Sequence, residues 1–377
     1  MTPKIFKFIL VTFLAILIFS FISHKIPVLK WQKTQILKSD LAPEEKILEN
    51  LTLEQKVGQL FLIGFEGKIL TSQLENLIKT IHPGGVLLLQ RNIENKEQLT
   101  KLIKELQKIS FEDNGLPLFI VVDQEGEPMS RIKFLNEKTP QSEIKNVEQA
   151  FEVGFSRGQE LKNLGINLNL APVLDIIEPG DFLYSRSFQK NPEETGELAK
   201  SLISGQKVAG IFTAIKHFPG YSGIAFNPER VKLPILSKIP EIAQFIKALE
   251  SQPEMVMTSN VVYTEIDNNF PFTLSPKGIQ FFKNELKNDF LIISDDLSSP
   301  VLKKEFSLKN TVILAFQAGV DILIVAGFDE PEDPSQAFNF LLEAAKNGEI
   351  SEKRIEQSVL KIIRLKENLL DHVYQKN

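Results

Sequence analysis

From about Leu51 onward, short apolar runs alternate with longer segments whose apolar residues recur every three or four positions. The runs occupy 59–65, 85–90, 117–123, 166–172, 211–217, 255–259, 290–295 and 321–326. Each is apolar over consecutive positions and often β-branched, the pattern of a strand covered on both faces in a parallel sheet. The intervening segments 71–81, 96–110, 147–164, 192–209, 275–288, 308–318 and 336–346 have helical period. A last helix, 351–370, carries Ile355, Val359, Ile362, Ile363 and Leu369 at helical spacing.

Eight runs with eight helical segments predict an α/β chain folded as a single (β/α)8 barrel of the TIM type. A doubly wound sheet shares the alternation, but no strand here leads into a glycine-rich phosphate loop. Gly84 and Gly85 precede their strand, on the wrong side for that role. Polar residues collect just past the strand ends: Asp123, Asp175, His217, Asn260 and Asp295. A barrel brings such ends to one face, so residues far apart in the chain meet around one pocket.

The N-terminus follows another pattern. Phe8 to Ile22 reads FILVTFLAILIFSFI without a charge, preceded by Lys4 and Lys7. It is short of the roughly 20 residues of a full span, and flanking lysine stems extend it by snorkelling. No small-x-small cleavage site follows, which favours an uncleaved signal-anchor over a cleaved secretory signal. The expected organisation is a hydrophobic helix at 1–24, a linker at 25–45 and the barrel at 46–377. The barrel is expected outside the cytoplasm, held at the membrane by the first helix or, in the alternative, secreted after cleavage.

Composition narrows the chemistry. The 377 residues are 43% hydrophobic and 24% charged, which excludes wholesale disorder, collagen-like and coiled-coil designs. Residues 1–40 hold six lysines and one acid, a net of +5, so the remainder of this −5 chain carries −10. That acidity argues against a nucleic acid partner. There is no cysteine, hence no disulfide, thiolate metal site or cysteine nucleophile. With four histidines and no HxH or HExxH spacing, neither a metal nor another cofactor is expected. Nothing in the sequence fixes an oligomeric state.

Three segments carry candidate chemistry. SDDL, Ser294 to Leu297, follows a buried run. A carboxylate held there serves as nucleophile, base or metal ligand, or, for Asp296, as the cap of a following turn. KHFPG places Lys216 and His217 at the mouth, where both need partners, structural or functional. VVDQEGEPMSRIK places Asp123 at a strand end and Arg131 eight residues later. A carboxylate and an arginine suit the hydroxyls of a pyranose, and they equally suit a structural bridge. Arg186 is a further loop cation, or a plain surface arginine.

Taken together, LTLEQKVGQLFLIGF, GGVLLLQRNI, the Asp123-Gln124-Glu125-Gly126 run, NLAPVLDI, RSF, KHFPG, MTSNVVYTEID and SDDL resemble glycoside hydrolase family 3. The resemblance is to the branch of the bacterial β-N-acetylhexosaminidases and covers Leu51 to Lys366. It implies a (β/α)8 barrel, no metal, and a retaining mechanism through a covalent glycosyl-enzyme. It implies Asp295 as nucleophile, with Asp123, Arg131, Arg186, Lys216 and His217 binding a terminal N-acetylglucosamine.

The departures are local. In the family the loop continues KHFPGHG and reaches an Asp-Ser-His, whose Asp-His pair is the general acid/base. Here it continues Tyr221-Ser222, and no histidine lies between His217 and His372. An ungapped count puts Asn227 at the acid of that pair and Glu229 at its histidine. Glu127 and Pro128 replace a Gly-Arg, and Asn260 replaces a histidine. Two readings follow. In one, Glu229 takes over proton transfer in a hydrolase that removes β-linked N-acetylglucosamine from peptidoglycan-type material. In the other, Glu229 is a solvated loop residue and the barrel only binds carbohydrate.

Overall fold

The computed structural model describes residues 41–287, 290–328 and 332–374, with side chains as far as 369. The chain divides into two compact units, Met1–Asn50 and Leu51–Asn377. Of the first unit the described part holds the helix Pro43–Asn50. The predicted hydrophobic helix at 1–24 lies outside the described residues. Among the described residues no helix is long and apolar enough to cross a membrane.

In the second unit eight parallel strands close into a barrel: β1 (Phe61–Ile63), β2 (Gly85–Leu88), β3 (Phe119–Val122), β4 (Leu168–Asn169), β5 (Phe212–Phe218), β6 (Met255–Thr258), β7 (Leu291–Asp296) and β8 (Ile322–Val325). Each pairs with its sequence neighbours, and β8 returns to β1 with Phe61 opposite Leu323. All eight lie within or one residue beyond the apolar runs of the sequence. The barrel wall is buried on both faces, which is why those runs show no alternation.

Helices α1 (Ser72–Ile81), α2 (Lys96–Asn114), α3 (Val147–Leu164), α4 (Pro192–Ala209), α5 (Ala243–Ala248), α6 (Pro276–Leu286), α7 (Pro300–Ala318), α8 (Pro334–Lys346) and α9 (Glu352–Tyr374) surround the barrel. Their ends are written in local chemistry. Asn95, Asn146 and Asn191 each accept the amide three residues on, satisfying a donor that the first turn leaves open. Helices α3 and α4 approach closely because Gly154 and Gly205 sit between them. A β-carbon would come within 2.1 Å of the Leu202 carbonyl at Gly154, and within 2.2 Å of the Phe151 carbonyl at Gly205.

Two elements differ from the sequence expectation. The connection from β5 to β6 contains a six-residue helix, α5, too short to show a helical period. The long stretch before it is a loop that lies over the barrel mouth. Helix α7 begins at Pro300 rather than 308, and Ser307 breaks its course with φ 64° and ψ 154°. The apolar pattern registered the part after that break.

At the other end of the barrel, α9 inserts Lys366 fully into the interior. Its Nζ donates to Gln59 Oε1 at 2.7 Å and lies 5.1 Å from the Phe119 ring centre. Burial pushes this amine well below the usual lysine range.

Candidate active site

The C-terminal ends of the strands open into a cleft of about 270 Å³. It is lined by Asp123, Arg131, Arg186, Lys216, His217, Glu229 and Asp295, and not by Asp175, Asn260 or Asp296. Met129, Phe182, Leu183, Tyr221, Asn227, Pro228, Arg230, Met257 and Phe328 complete the wall.

One side is a buried charge lattice. Asp123, just past β3, accepts Lys216 Nζ at 2.7 Å, and Arg131 Nη2 lies 3.4 Å from its other oxygen. Lys216 also reaches Glu125 at 2.6 Å. Glu125 in turn takes both arms of Arg186, at 2.7 and 2.9 Å. This planar fork is the geometry that makes an arginine–carboxylate pair strong and directional. Burial opposes ionisation of Asp123, yet Lys216 and Arg131 outweigh it and hold the carboxyl well below the usual range. Burial likewise opposes ionisation of Glu125, and Arg186 and Lys216 hold its carboxyl low. The guanidinium of Arg186 is held charged by Glu125 in spite of burial. Asp123 and Arg131 therefore bridge each other and also line the cleft.

A second cluster sits under β5. The pairing of β5 with β6 slips between Ile215 and Phe218, and Lys216 and His217 both face the mouth. Buried Asp175 accepts the His217 backbone N–H at 3.1 Å and the Nδ1 side of its ring at 2.9 Å. Its other oxygen accepts the Tyr221 N–H at 2.7 Å. One carboxylate thus fixes both the histidine and the start of the following loop.

That loop is tied down along its length. The Phe182 N–H donates to the Ile224 carbonyl at 2.8 Å, and the Tyr263 hydroxyl donates to the Gly220 carbonyl. Ile235 and Leu236 pair with Val262 and Tyr263 as a small parallel ribbon. Between these ties, Asn227 to Val231 forms a turn that carries Glu229. The Asn227 side chain accepts the Glu229 N–H at 2.9 Å, and the Glu229 carbonyl accepts the Val301 N–H at 3.2 Å. Val301 lies in the first turn of α7, where amides lack partners within the helix.

Asp295, at the end of β7, is anchored on both oxygens. One accepts the Asp296 N–H at 2.8 Å and the other the Tyr221 hydroxyl at 2.8 Å. The Tyr221 oxygen itself accepts the Asn260 N–H at 2.8 Å. Burial, and then the neighbouring Asp295 carboxylate, keep the Tyr221 phenol well above the ordinary tyrosine range, so it stays a proton donor. Asp296 turns away. It caps the turn at Ser298 and accepts the Ala326 N–H at 3.2 Å, which fastens the loop after β8. The cap of α7 itself is Ser299.

Two participants carried no role at the sequence level. Glu125 lay inside a quoted motif without a task, and its one signal was a second acid close after a strand end. Tyr221 was legible only as a departure, the residue standing where a histidine was expected. Among the described residues no cluster of histidine, aspartate and glutamate has the form of a metal site.

Comparison with known proteins agrees with this architecture. The profile "Glycosyl hydrolase family 3 N terminal domain" matches residues 52–365. The chain is 27% identical over 374 residues to the "Beta-hexosaminidase A" of Pseudoalteromonas piscicida, covering 85% of this chain and 62% of that one. It is 28% identical over 340 residues to an "Uncharacterized secreted glycosyl hydrolase" of Arthroderma benhamiae, covering 85% of this chain and 94% of that one. Among solved structures, a glycoside hydrolase family 3 beta-N-acetylglucosaminidase from Paenibacillus sp. str. FPU-7 superposes with a TM-score of 0.78 at 32% identity. That match covers 84% of this chain and 62% of the other. The chain thus spans under two thirds of two of these three relatives. The profile match runs from before β1 into α9 and takes in every strand of the barrel, and on that extent the chain belongs to glycosyl hydrolase family 3.

Proposed function

We propose that the protein is a retaining glycoside hydrolase that removes β-linked N-acetylglucosamine from cell-wall-type glycans. The observation that carries this is the single cleft in which Asp295 faces Asp123, Lys216, His217 and Glu229. In this reading Asp295 attacks the anomeric carbon from the rigid end of β7. Glu229 protonates the departing oxygen and then deprotonates the water that releases the sugar. Asp123, Arg131, Arg186, Lys216 and His217 hold the sugar hydroxyls. Each carboxylate oxygen of Asp123 keeps a lone pair beyond its protein contacts. Binding energy from these contacts favours an oxocarbenium-like transition state.

The relatives named as hexosaminidases support the sugar class, and the peptidoglycan-type source goes beyond them. The apolar segment at 1–24 supports a place outside the cytoplasm, as a membrane anchor or as a secretion signal. The relative named as secreted supports the secreted alternative.

The test is hydrolysis of an aryl β-N-acetylglucosaminide and of a natural disaccharide by wild type, Asp295→Ala and Glu229→Gln. Asp295→Ala is expected to abolish both activities. Glu229→Gln is expected to lose about 10²–10⁴-fold on the disaccharide and less on the aryl substrate, whose leaving group needs little protonation. Binding of the disaccharide without hydrolysis by the wild type would establish the carbohydrate-binding reading instead.

A further inference from the structure

The hydroxyl of Tyr221 has two partners, and their order matters. Its oxygen accepts the Asn260 backbone N–H at 2.8 Å. Its proton is then directed to Asp295, also at 2.8 Å. The ring is clamped: Tyr221 is buried, stacks edge-on against His217 at 5.1 Å, and its own N–H is held by Asp175. A donor so fixed cannot swing away as the charge on Asp295 changes.

We propose that Tyr221 is a positioning residue that tunes the two half-reactions in opposite senses, favouring breakdown of the glycosyl-enzyme over its formation. This rests on the reading of Asp295 as nucleophile. In the first half-reaction an Asp295 oxygen bonds to the anomeric carbon, the bond to the leaving oxygen breaks, and Glu229 supplies that oxygen with its proton. The carboxylate loses its charge, so the hydrogen bond from Tyr221 weakens on the way to the transition state. In the second half-reaction water bonds to the anomeric carbon and gives a proton to Glu229. The ester bond breaks and its electron pair returns to Asp295. The carboxylate regains its charge, so the same hydrogen bond strengthens. Only interactions that strengthen toward a transition state accelerate the step. The shifted phenol keeps the donor protonated through the cycle.

The test is Tyr221→Phe assayed with a dinitrophenyl β-N-acetylglucosaminide, whose leaving group makes the first step fast. The expected result is a fall in kcat of about tenfold or more, the usual effect of a lost hydrogen bond to a charged group. kcat/KM, which reports the first step, should hold or rise rather than fall, and a burst of dinitrophenolate should appear in stopped flow. Parallel losses in kcat and kcat/KM, or no change in either, would overturn the proposal. Asp295→Ala in the same assay separates the causes. If it keeps wild-type activity, the nucleophile reading fails and this inference falls with it. If it is inactive while Tyr221→Phe shows parallel losses, only the inference fails. Should Tyr221→Phe not fold, Tyr221→3-fluorotyrosine keeps the shape and strengthens the donor. A kcat above wild type supports the proposal, and an unchanged or lower kcat overturns it.

Discussion

Arg186 grips Glu125 with two parallel hydrogen bonds, 2.7 and 2.9 Å long, from the loop after β4 to the residues after β3. Arg186 lines the cleft, Glu125 does not, and the pair shares Lys216 with Asp123. Its position means that three cations and two carboxylates form one connected, largely buried unit with a net charge of one positive, rather than a set of separate ligands.

Removing Glu125 breaks that unit from the inside. Glu125→Gln leaves Arg186 and Lys216 buried with less opposing charge. Loss of one partner from a buried pair typically costs about 3–5 kcal/mol. Urea unfolding should show a loss of that order, and KM should rise because the Arg186 guanidinium is no longer aimed.

The same unit makes stability depend on acid. The folded carboxyls of Asp123 and Glu125 ionise below their ordinary values of 3.8 and 4.5. Their contribution is complete above pH about 5, where the unfolded groups are also ionised, and is lost as pH falls through 4 and below. Asp296 and Glu254, both pushed up by burial, act in the opposite sense, so the comparison must be made between variants. The stability advantage of wild type over Asp123→Asn, measured by urea unfolding from pH 6 to pH 3, should hold to about pH 5 and shrink below it. A constant gap would show that Asp123 is not held ionised by its neighbours.

Lys366 predicts the reverse end of the scale. Its folded amine is pushed well below 10.5 by burial, while the unfolded amine titrates there. Between those two values the unfolded chain binds the extra proton, so stability rises with pH. Relative to Lys366→Met, the wild type should therefore gain stability between pH 7 and pH 10. A flat difference would mean that the buried amine stays charged.

Much of the architecture was legible because a barrel wall buried on both faces gives continuous apolar runs, and each of the eight barrel strands lies in or beside one. Polar residues at the ends of those runs located the cleft, because a closed parallel barrel admits one meeting place for strand ends. What stayed hidden depended on contacts across the chain. Helix α5 is too short for a periodic signal, and α7 is interrupted at Ser307. Glu125 looked like any acid in a loop, and only its meeting with Arg186, 61 residues away, gives it a task. Tyr221 followed KHFPG as a departure. Its contact with Asp295 depends on how the loop after β5 folds back over β7, which local sequence does not specify.

The central claim is that Asp295 forms a bond to the sugar. A fluorinated N-acetylglucosaminyl fluoride, which loads quickly and hydrolyses slowly, followed by proteolysis and mass mapping, tests it most directly. The account predicts one added sugar per chain, on the peptide that contains Asp295 and on that residue within it. A sugar found on any other residue, or active enzyme that never becomes labelled, would contradict it.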